Sequence, residues 1–287
     1  MQLPFVKMHG LGNDFMVVRD QPADALPDID TIRRLAHRRE GVGFDQLLWI
    51  EAPRSAGTHA WYRIFNADGG EVEQCGNGLR CIALLLGEQP GAPALLRLEC
   101  RAGVSEARIA GPGITAVSMG APRFDPADIP MAVTDTAPAD AGMAAAGESG
   151  TYRLEAAGRT VEVSALSMGN PHCVLLVDDV YRAPVAELGP ALERHPAFPE
   201  RCNVGFLEPR GRDRARLRVW ERGVGETRAC GSGACAAMVA GKRRGLFGAE
   251  VRVSLPGGDL MVSWPGPGEA VWLTGPARYS FEGTVAL

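Results

Sequence analysis

Long apolar runs are missing from this chain. The longest, such as IALLL at 82–86, fall far short of the roughly 20 residues that a membrane-spanning helix needs. The opening MQLPFVKMHG also lacks the charged-then-apolar layout of a secretory signal, so a soluble, cytoplasmic protein with no membrane partner is the expectation. An excess of positive charge is missing too. With a formal net charge of -4 and a pI near 5.8, the surface does not suit nucleic acid, and the RRLAHRRE run at 33–40 reads as a solvated helix face. The few lysines, Lys7 and Lys242, stand in no recognisable Schiff-base motif and read as structural or solvated. A disulfide framework is absent as well, because the 7 cysteines are odd in number and spread over 287 residues. Cys75 to Cys81 and Cys230 to Cys235 are spaced more widely than the usual zinc hairpins, so no structural metal is expected. Aromatics are sparse at 6%, yet an apolar share of 46% lets a chain of this length bury one large or two medium cores.

What the chain does contain is a repeat. EVEQCGNGLRC at 71–81 is echoed by ETRACGSGAC at 226–235, each cysteine being followed by Gly, a small polar residue and Gly. Three further stations recur in the same order. GNDFMVV at 12–18 answers to GNPHCVLLV at 169–177, VGFDQ at 42–46 to VGFLE at 204–208, and YRIFN at 62–66 to LRVWE at 217–221. The near-constant offset, 155 residues between the cysteines and 157 between Asn13 and Asn170, implies a duplication. Asn66 and Glu221 each stand nine residues before their cysteine. The expected architecture is therefore two pseudo-symmetric α/β domains, 1–122 and 123–274, with the hinge near GAPRFDP at 120–126. The tail from 275 to 287 is expected to return to the first domain as a strand.

Short β-branched or apolar runs bounded by Gly, Pro or Asn read as strands: FVKMHG, FMVV, QLLWI, WYRIFN and LLRLEC, then VEVSAL, CVLLV, NVGFL, ARLRVW, VRVSL and VWLTG. Helices are expected over 31–39, with Asp30 and Thr31 as caps, and over 77–87 and 231–244, directly after the two special cysteines. The Ala/Gly-rich tract at 136–150 reads as a surface loop. Cys81, Cys100 and Cys235 lie in apolar surroundings and read as core.

A cysteine just before a helix sits where exposed N–H groups and the positive end of the helix dipole favour an anion, which makes its thiolate accessible near neutral pH. The same N–H groups can hold a carboxylate. Should the two halves face each other, a carboxylate held by both helix starts would place its α-carbon between two sulfurs. One thiolate could then remove the α-proton while a thiol delivers another to the opposite face. With no cofactor or metal indicated, developing charge must be met by preorganised backbone donors in a dry site.

Taken together, MHGLGNDF, VGFDQ, FNADGGEVEQCGNGLRC, MGNPHC, NVGF and ERGVGETRACGSGAC resemble the diaminopimelate epimerase family across nearly the whole chain. The resemblance implies α/β (α+β) domains, each a curved mixed β-sheet wrapped around a central helix, with the active site between them. It also implies a cofactor-independent isomerase that interconverts LL- and meso-2,6-diaminopimelate for lysine and peptidoglycan-precursor synthesis, and a homodimer. Carried over position by position, the two bases fall on Cys75 and Cys230. Backbone donors for the reacting carboxylate fall on Gly76, Asn77, Gly231 and Ser232. Asn13, Gln46 and Glu221 match residues around the reacting amino end; Asn66, Asn170, Asn203 and Arg222 match readers of the distal end. His172 matches a histidine near the catalytic pair.

Arg222 offers a fork suited to a distal carboxylate, and amides at Asn66, Asn170 and Asn203 left unpaired by a shorter amino acid would reject it. Judged singly, Asn13 and Asn170 could be turn formers after glycine, Arg222 a surface ion pair, and His172 a satisfied core histidine. The joint occurrence of the motifs favours the site reading for the asparagines and the arginine; for His172 both readings stay open. Rivals are a proline racemase-like enzyme of the same fold, which the resemblance would give a histidine where Asn77 stands, a phenazine-synthesis isomerase, which would lack the cysteine pair, a non-catalytic amino-acid-binding protein, and a thiol redox protein.

Overall fold

The computed structural model describes residues 2–132 and 150–287; the expected loop at 136–150 falls outside these residues but for Gly150. The chain divides into two compact units, Met1–Ser118 with Thr274–Leu287, and Met119–Leu273.

In the first unit the chain runs β1 (Gln2–Gly10), β2 (Asn13–Val18), α1 (Ile29–Ala36), β3 (Gln46–Glu51), β4 (Ala60–Asn66), β5 (Glu71–Val72), α2 (Gly76–Gly87), β6 (Leu96–Cys100), β7 (Gly103–Gly111) and β8 (Ile114–Ser118). The second unit follows with β9 (Thr151–Ala156), β10 (Arg159–Ser167), β11 (Pro171–Leu176), α3 (Val185–Glu193), β12 (Asn203–Pro209), β13 (Arg214–Glu221), β14 (Gly225–Thr227), α4 (Gly231–Arg243), β15 (Glu250–Leu255) and β16 (Gly258–Ser263). β17 (Trp272–Pro276) crosses back, and β18 (Arg278–Ala286) belongs to the first unit.

The repeat seen in the sequence is a repeat of strand pairing. In the first unit the order is β18, β1, β2, β3, β4, β6, β7, with successive pairings antiparallel, antiparallel, parallel, antiparallel, parallel and antiparallel. The second unit's β9, β10, β11, β12, β13, β15, β16 give the same six pairings in the same order. β18 thus plays for the first unit the part that β9 plays for the second, and the N-terminal sheet is complete only when the last strand lies along β1, from Gln2 against Ala286 to His9 against Arg278.

Each mixed sheet wraps a helix. α2 touches β1, β2, β7 and β8, while α4 touches β10 to β13, β15 and β16. The reason is composition: GNGLRCIALLLG and GSGACAAMVAGKR are apolar or small on nearly every side, and a helix without a polar face is stable only when enclosed. Gly78 sets how close α2 lies, since a Cβ there would come within 3.0 Å of Leu48 and 3.4 Å of Phe15. Each fully buried Leu, Ile, Met or Phe in these shells contributes about 1.5–3 kcal/mol by leaving water. The cores contain Phe15, Met16, Leu47 and Trp49 in one unit and Leu154, Val163, Val204 and Phe206 in the other. Cys81, Cys100 and Cys235 are buried, and burial pushes the Cys81 thiol up to about 12, so it packs as an apolar side chain.

Local departures from the sequence expectation have physical causes. α1 begins at Ile29, capped by Asp28, whose carboxylate accepts the Thr31 N–H at 2.8 Å, rather than by Asp30 or Thr31. It ends at Ala36 because His37 turns to extended backbone, so 37–39 are not helical. The basic run is not uniformly solvated: Leu35 and Ala36 are core, and Arg38 binds Asp14 and Asp45. Lys7 is buried and paired with Asp14, a structural lysine. α3 was hidden behind Pro184, Gly189 and Pro190; Gly189 is required there because a Cβ would strike the Trp220 ring at 2.7 Å. The hairpin β7–β8 lies outside the expected strands because Gly, Ser and Ala blur its alternation. No helix among the described residues is long and apolar enough to cross a membrane.

Candidate active site

In both units the sheet hands the chain to its central helix through a cysteine. Cys75 is the N-cap of α2 with extended φ, ψ of -144° and 109°, and its Sγ accepts the Gly78 N–H at 3.5 Å. Its carbonyl accepts the Leu79 N–H, so Gly76 and Asn77 occupy the first turn, where the helix offers their N–H groups no acceptor of its own. Cys230 is the N-cap of α4 at -114° and 109°, its carbonyl accepts the Ala234 N–H, and Gly231 and Ser232 form that first turn. Glycine at the third helical position is again a matter of space: a Cβ at Gly233 would lie 3.2 Å from the Cys230 sulfur.

Around Cys75 the first unit assembles a chain of amides. The Cys75 Sγ lies 3.8 Å from Asn13 Oδ1, which also accepts from Asn77 Nδ2 at 3.2 Å. Asn13 Nδ2 donates to Asp45 at 3.0 Å. Asp45 and Asp14 share Arg38, and Asp14 also takes Lys7, so although burial alone would raise its carboxyl, these two cations hold it well below the usual carboxylate range. Gln46 and Asn66 face each other across β3 and β4, and Gln46 Nε2 donates to Asn66 Oδ1 at 2.8 Å. Gln46 Oε1 is buried without a hydrogen-bond partner among the described residues, which equips it to accept from a ligand ammonium.

The second unit builds a different environment on the same frame. Burial, then the nearby Glu221 carboxylate, pushes the Cys230 thiol well above its ordinary value, and Ser232 Oγ lies 3.7 Å from its sulfur. Burial raises the Glu221 carboxyl also, against hydrogen bonds from Thr227 and Cys230. His172 stands beside Asn203 in the parallel register of β11 and β12, and its Nε2 pairs with Asn170 Oδ1 at 2.9 Å. Asn203 Oδ1 accepts the Arg222 N–H at 3.0 Å and its Nδ2 donates to Pro171 O at 3.2 Å, while the Arg222 side chain, exposed, donates to Glu200 O. Asn66 Oδ1 and Asn170 Oδ1 are thus engaged by Gln46 and His172, and both amide groups of Asn203 by backbone, whereas Gln46 Oε1 stays without a partner among the described residues.

His172 is 1% exposed, and burial, then the Arg222 charge, lowers its pKa to about 3. It is a neutral, satisfied histidine across the physiological range, with Asn170 as its partner. The unfolded chain takes up that proton near pH 6.5 and the folded chain only near 3, so the stability tied to neutral His172 is complete above pH 6.5 and is lost as pH falls from there toward 3. Urea midpoints measured from pH 7 to 4 should fall less steeply for His172→Gln than for the parent; parallel curves would show that His172 is not held neutral.

Asn13, Gln46, Asn66, Cys75, Gly76 and Asn77 belong to the first unit, where Asn13 and Asn77 gather at Cys75 and Gln46 pairs with Asn66; the other expected residues belong to the second, where Glu221 and Ser232 flank Cys230 and Asn170, His172, Asn203 and Arg222 form a separate group. The sequence does not reveal Asp45 behind Asn13, Thr227 against Glu221, or Arg80, whose guanidinium is buried one turn beneath Cys75. Asp45 alone had a visible signal, as the residue before Gln46 in VGFDQ. Among the described residues, no three His, Cys, Asp or Glu side chains gather to hold a metal.

Residues 5–124 and 164–280 match the diaminopimelate epimerase family. The chain is 49% identical to the diaminopimelate epimerase of Ectopseudomonas mendocina over 288 residues, covering 100% of both chains. It is 51% identical to that of Halorhodospira halophila over 284 residues, covering 99% of this chain and 95% of the relative. Among solved structures it resembles a probable proline racemase of Agrobacterium radiobacter, with a TM-score of 0.71, 15% identity and coverage of 99% and 93%. A predicted epimerase of Pseudomonas aeruginosa gives a TM-score of 0.69 at 18% identity, with 99% of both chains covered. At such identities these structures bear on the fold alone.

Proposed function

Because the chain belongs to the diaminopimelate epimerase family, we propose that it interconverts LL- and meso-2,6-diaminopimelate without a cofactor, Cys75 and Cys230 serving as the two bases. The observation that carries the reading is the duplicated cap: each unit ends a strand pair in a cysteine that opens a buried helix, at equivalent places in the same strand order.

The substrate α-carboxylate is taken by N–H groups of Gly76, Asn77, Gly231 and Ser232, whose dipoles are set before any charge develops. One sulfur, as thiolate, accepts the α-proton while the other, as thiol, gives its proton to the opposite face. The C–H broken and the C–H formed leave the pair with its protonation exchanged, ready for the reverse reaction. Gln46 Oε1, Asn13 and the Glu221 carboxylate take the reacting ammonium, and Asn66, Asn170, Asn203 and Arg222 read the distal amino-acid group. The reading extends to a cytoplasmic homodimer, for which β18 offers a face with Tyr279 and Phe281 exposed.

Incubation of the protein with LL-diaminopimelate in deuterium oxide, with nothing added, tests the function. The thiol proton exchanges with solvent, so meso product must carry one deuterium at the inverted α-carbon. Inversion with the original hydrogen retained would end the two-base reading; no inversion at all would favour a binding protein.

A further inference from the structure

The duplication equates two positions that differ in charge. Five residues after Cys75 stands Arg80; five after Cys230 stands Cys235. Nine residues before Cys75 stands Asn66; nine before Cys230 stands Glu221. The first cysteine is therefore followed on its helix by a cation and preceded on its strand by a neutral amide, the second followed by a thiol and preceded by a carboxylate.

Arg80 is completely buried. Its Nη2 donates to Asn77 Oδ1 at 2.8 Å, its Nη1 lies 3.5 Å from Gly76 O, and its Nε donates to Pro276 O at 3.4 Å. Its own carbonyl accepts from Thr115 Oγ1 at 3.2 Å. β1 leaves room for the guanidinium by presenting Gly10, where a Cβ would come within 3.1 Å of Nη2. By accepting from Arg80, Asn77 Oδ1 is turned inward, and Asn77 Nδ2 is turned out toward Asn13 Oδ1. That bond in turn directs Asn13 Oδ1 to the side of the Cys75 sulfur and its Nδ2 to Asp45. Taking a guanidinium out of water is unfavourable, a cost the fold bears at this helix start.

We propose that Arg80 is a positioning residue of the Cys75 half-site: it orients Asn77 and Asn13 and sets a fixed positive charge beneath the α2 N-terminus, so that Cys75 is the thiolate of the resting pair and Cys230 the thiol. The proposal deepens the two-base reading and rests on it. The titratable groups that face Cys75 from neighbouring elements are held neutral or paired. On α2, Cys81 is kept neutral by burial; on β4, the buried Tyr62 hydroxyl is pushed far up and stays protonated, with Cys100 of β6 beside it. Asn13 of β2 is uncharged, and the Asp14 and Asp45 carboxylates beyond it are paired with Lys7 and Arg38. Facing Cys230 are Glu221 of β13, bonded to Thr227, and the uncharged Ser232 of α4.

Alkylation by iodoacetamide, mapped by mass spectrometry from pH 6 to 9, tests this. Only thiolate reacts, and each site's pH profile is read separately, which separates ionisation from access. In the parent protein the Cys75 profile should lie to lower pH than that of Cys230. Arg80→Met should move the Cys75 profile upward so that its rate at pH 7 falls about tenfold, with Cys230 unchanged. Arg80→Lys should restore most of that rate, while kcat stays low because an ammonium cannot make the fork to Asn77 and Gly76 together. A Cys230 profile at lower pH than Cys75, readable in the parent protein even if the variants fail to fold, would overturn the proposal. So would an unshifted Cys75 profile in folded Arg80→Met. These labelling results do not depend on turnover: deuterium entry with an unshifted profile refutes only the role of Arg80, and absent deuterium entry refutes only the function.

Discussion

Alanine at Cys75 or at Cys230 should stop epimerisation, kcat falling by about 10³–10⁴-fold in either variant, because on the two-base reading general acid–base catalysis would be lost from one face of the α-carbon and water has no fixed place from which to replace it. The fold should survive. Cys230 makes no side-chain capping bond and Cys75 only a long one to Gly78, whereas the cap carbonyls that hold Leu79 and Ala234 are untouched. Loss of a cap of this kind costs about 1 kcal/mol, so thermal melts should move by a few degrees at most. Serine at either position should do little better, since its hydroxyl is a far weaker acid. The measurement is stereoisomer analysis over time beside circular dichroism of the same samples. Near-normal turnover by either alanine variant, folded, would remove the two-base reading.

Glu221→Gln should cut kcat/KM by about 10–150-fold, the value of a hydrogen bond to a charged group, and should also change the pH profile. In the parent protein burial raises this carboxyl above its ordinary 4.5, so kcat/KM should show an acid limb above the usual carboxylate range as Glu221 gains its proton and ceases to attract an ammonium. The variant should lack that limb. The stability effect has the opposite sign to that of a paired carboxylate: the unfolded chain loses the proton at 4.5 and the folded chain at higher pH. Stability from this group is thus greatest at low pH and declines as pH rises from 4.5 through the folded value. With glutamine that decline disappears. The neighbouring Cys230, relieved of a negative charge, should at the same time ionise at lower pH. An unchanged acid limb in Glu221→Gln would assign it to another group.

Most of the site was legible because it is written locally. Cysteine, glycine, a small polar residue and glycine specify a cap and a close-packed first turn wherever they occur, and their recurrence at a constant offset carries the frame with them. The strands carrying Gln46, Asn66, Asn203 and Glu221 were readable for the same reason. What stayed hidden depends on register. That Asp45, just before β3, would reach Asn13, or that Thr227, opposite Val219, would reach diagonally to Glu221, follows from how the strands are paired, and no local pattern records it. Arg80 was passed over because an arginine inside an apolar helix looks like an exposed one until the enclosing strands are known. α3 was lost to its prolines, whose cost is offset by the Gly189 contact with Trp220 and by the Trp220 indole donating to Glu193 at 2.8 Å. Nor do the motifs show that Gln46 gives its Nε2 to Asn66 and keeps its Oε1 without a partner among the described residues.

The pairing of β18 with β1 bears on how the molecule is made. Synthesis is vectorial, and the second unit is one continuous stretch from Met119 to Leu273, whereas the first, begun at β1, waits for nearly the whole chain before its edge strand arrives. A stop codon falling just after Thr274 would spare each residue assigned to the chemistry and still leave the lobe bearing Cys75 unfinished.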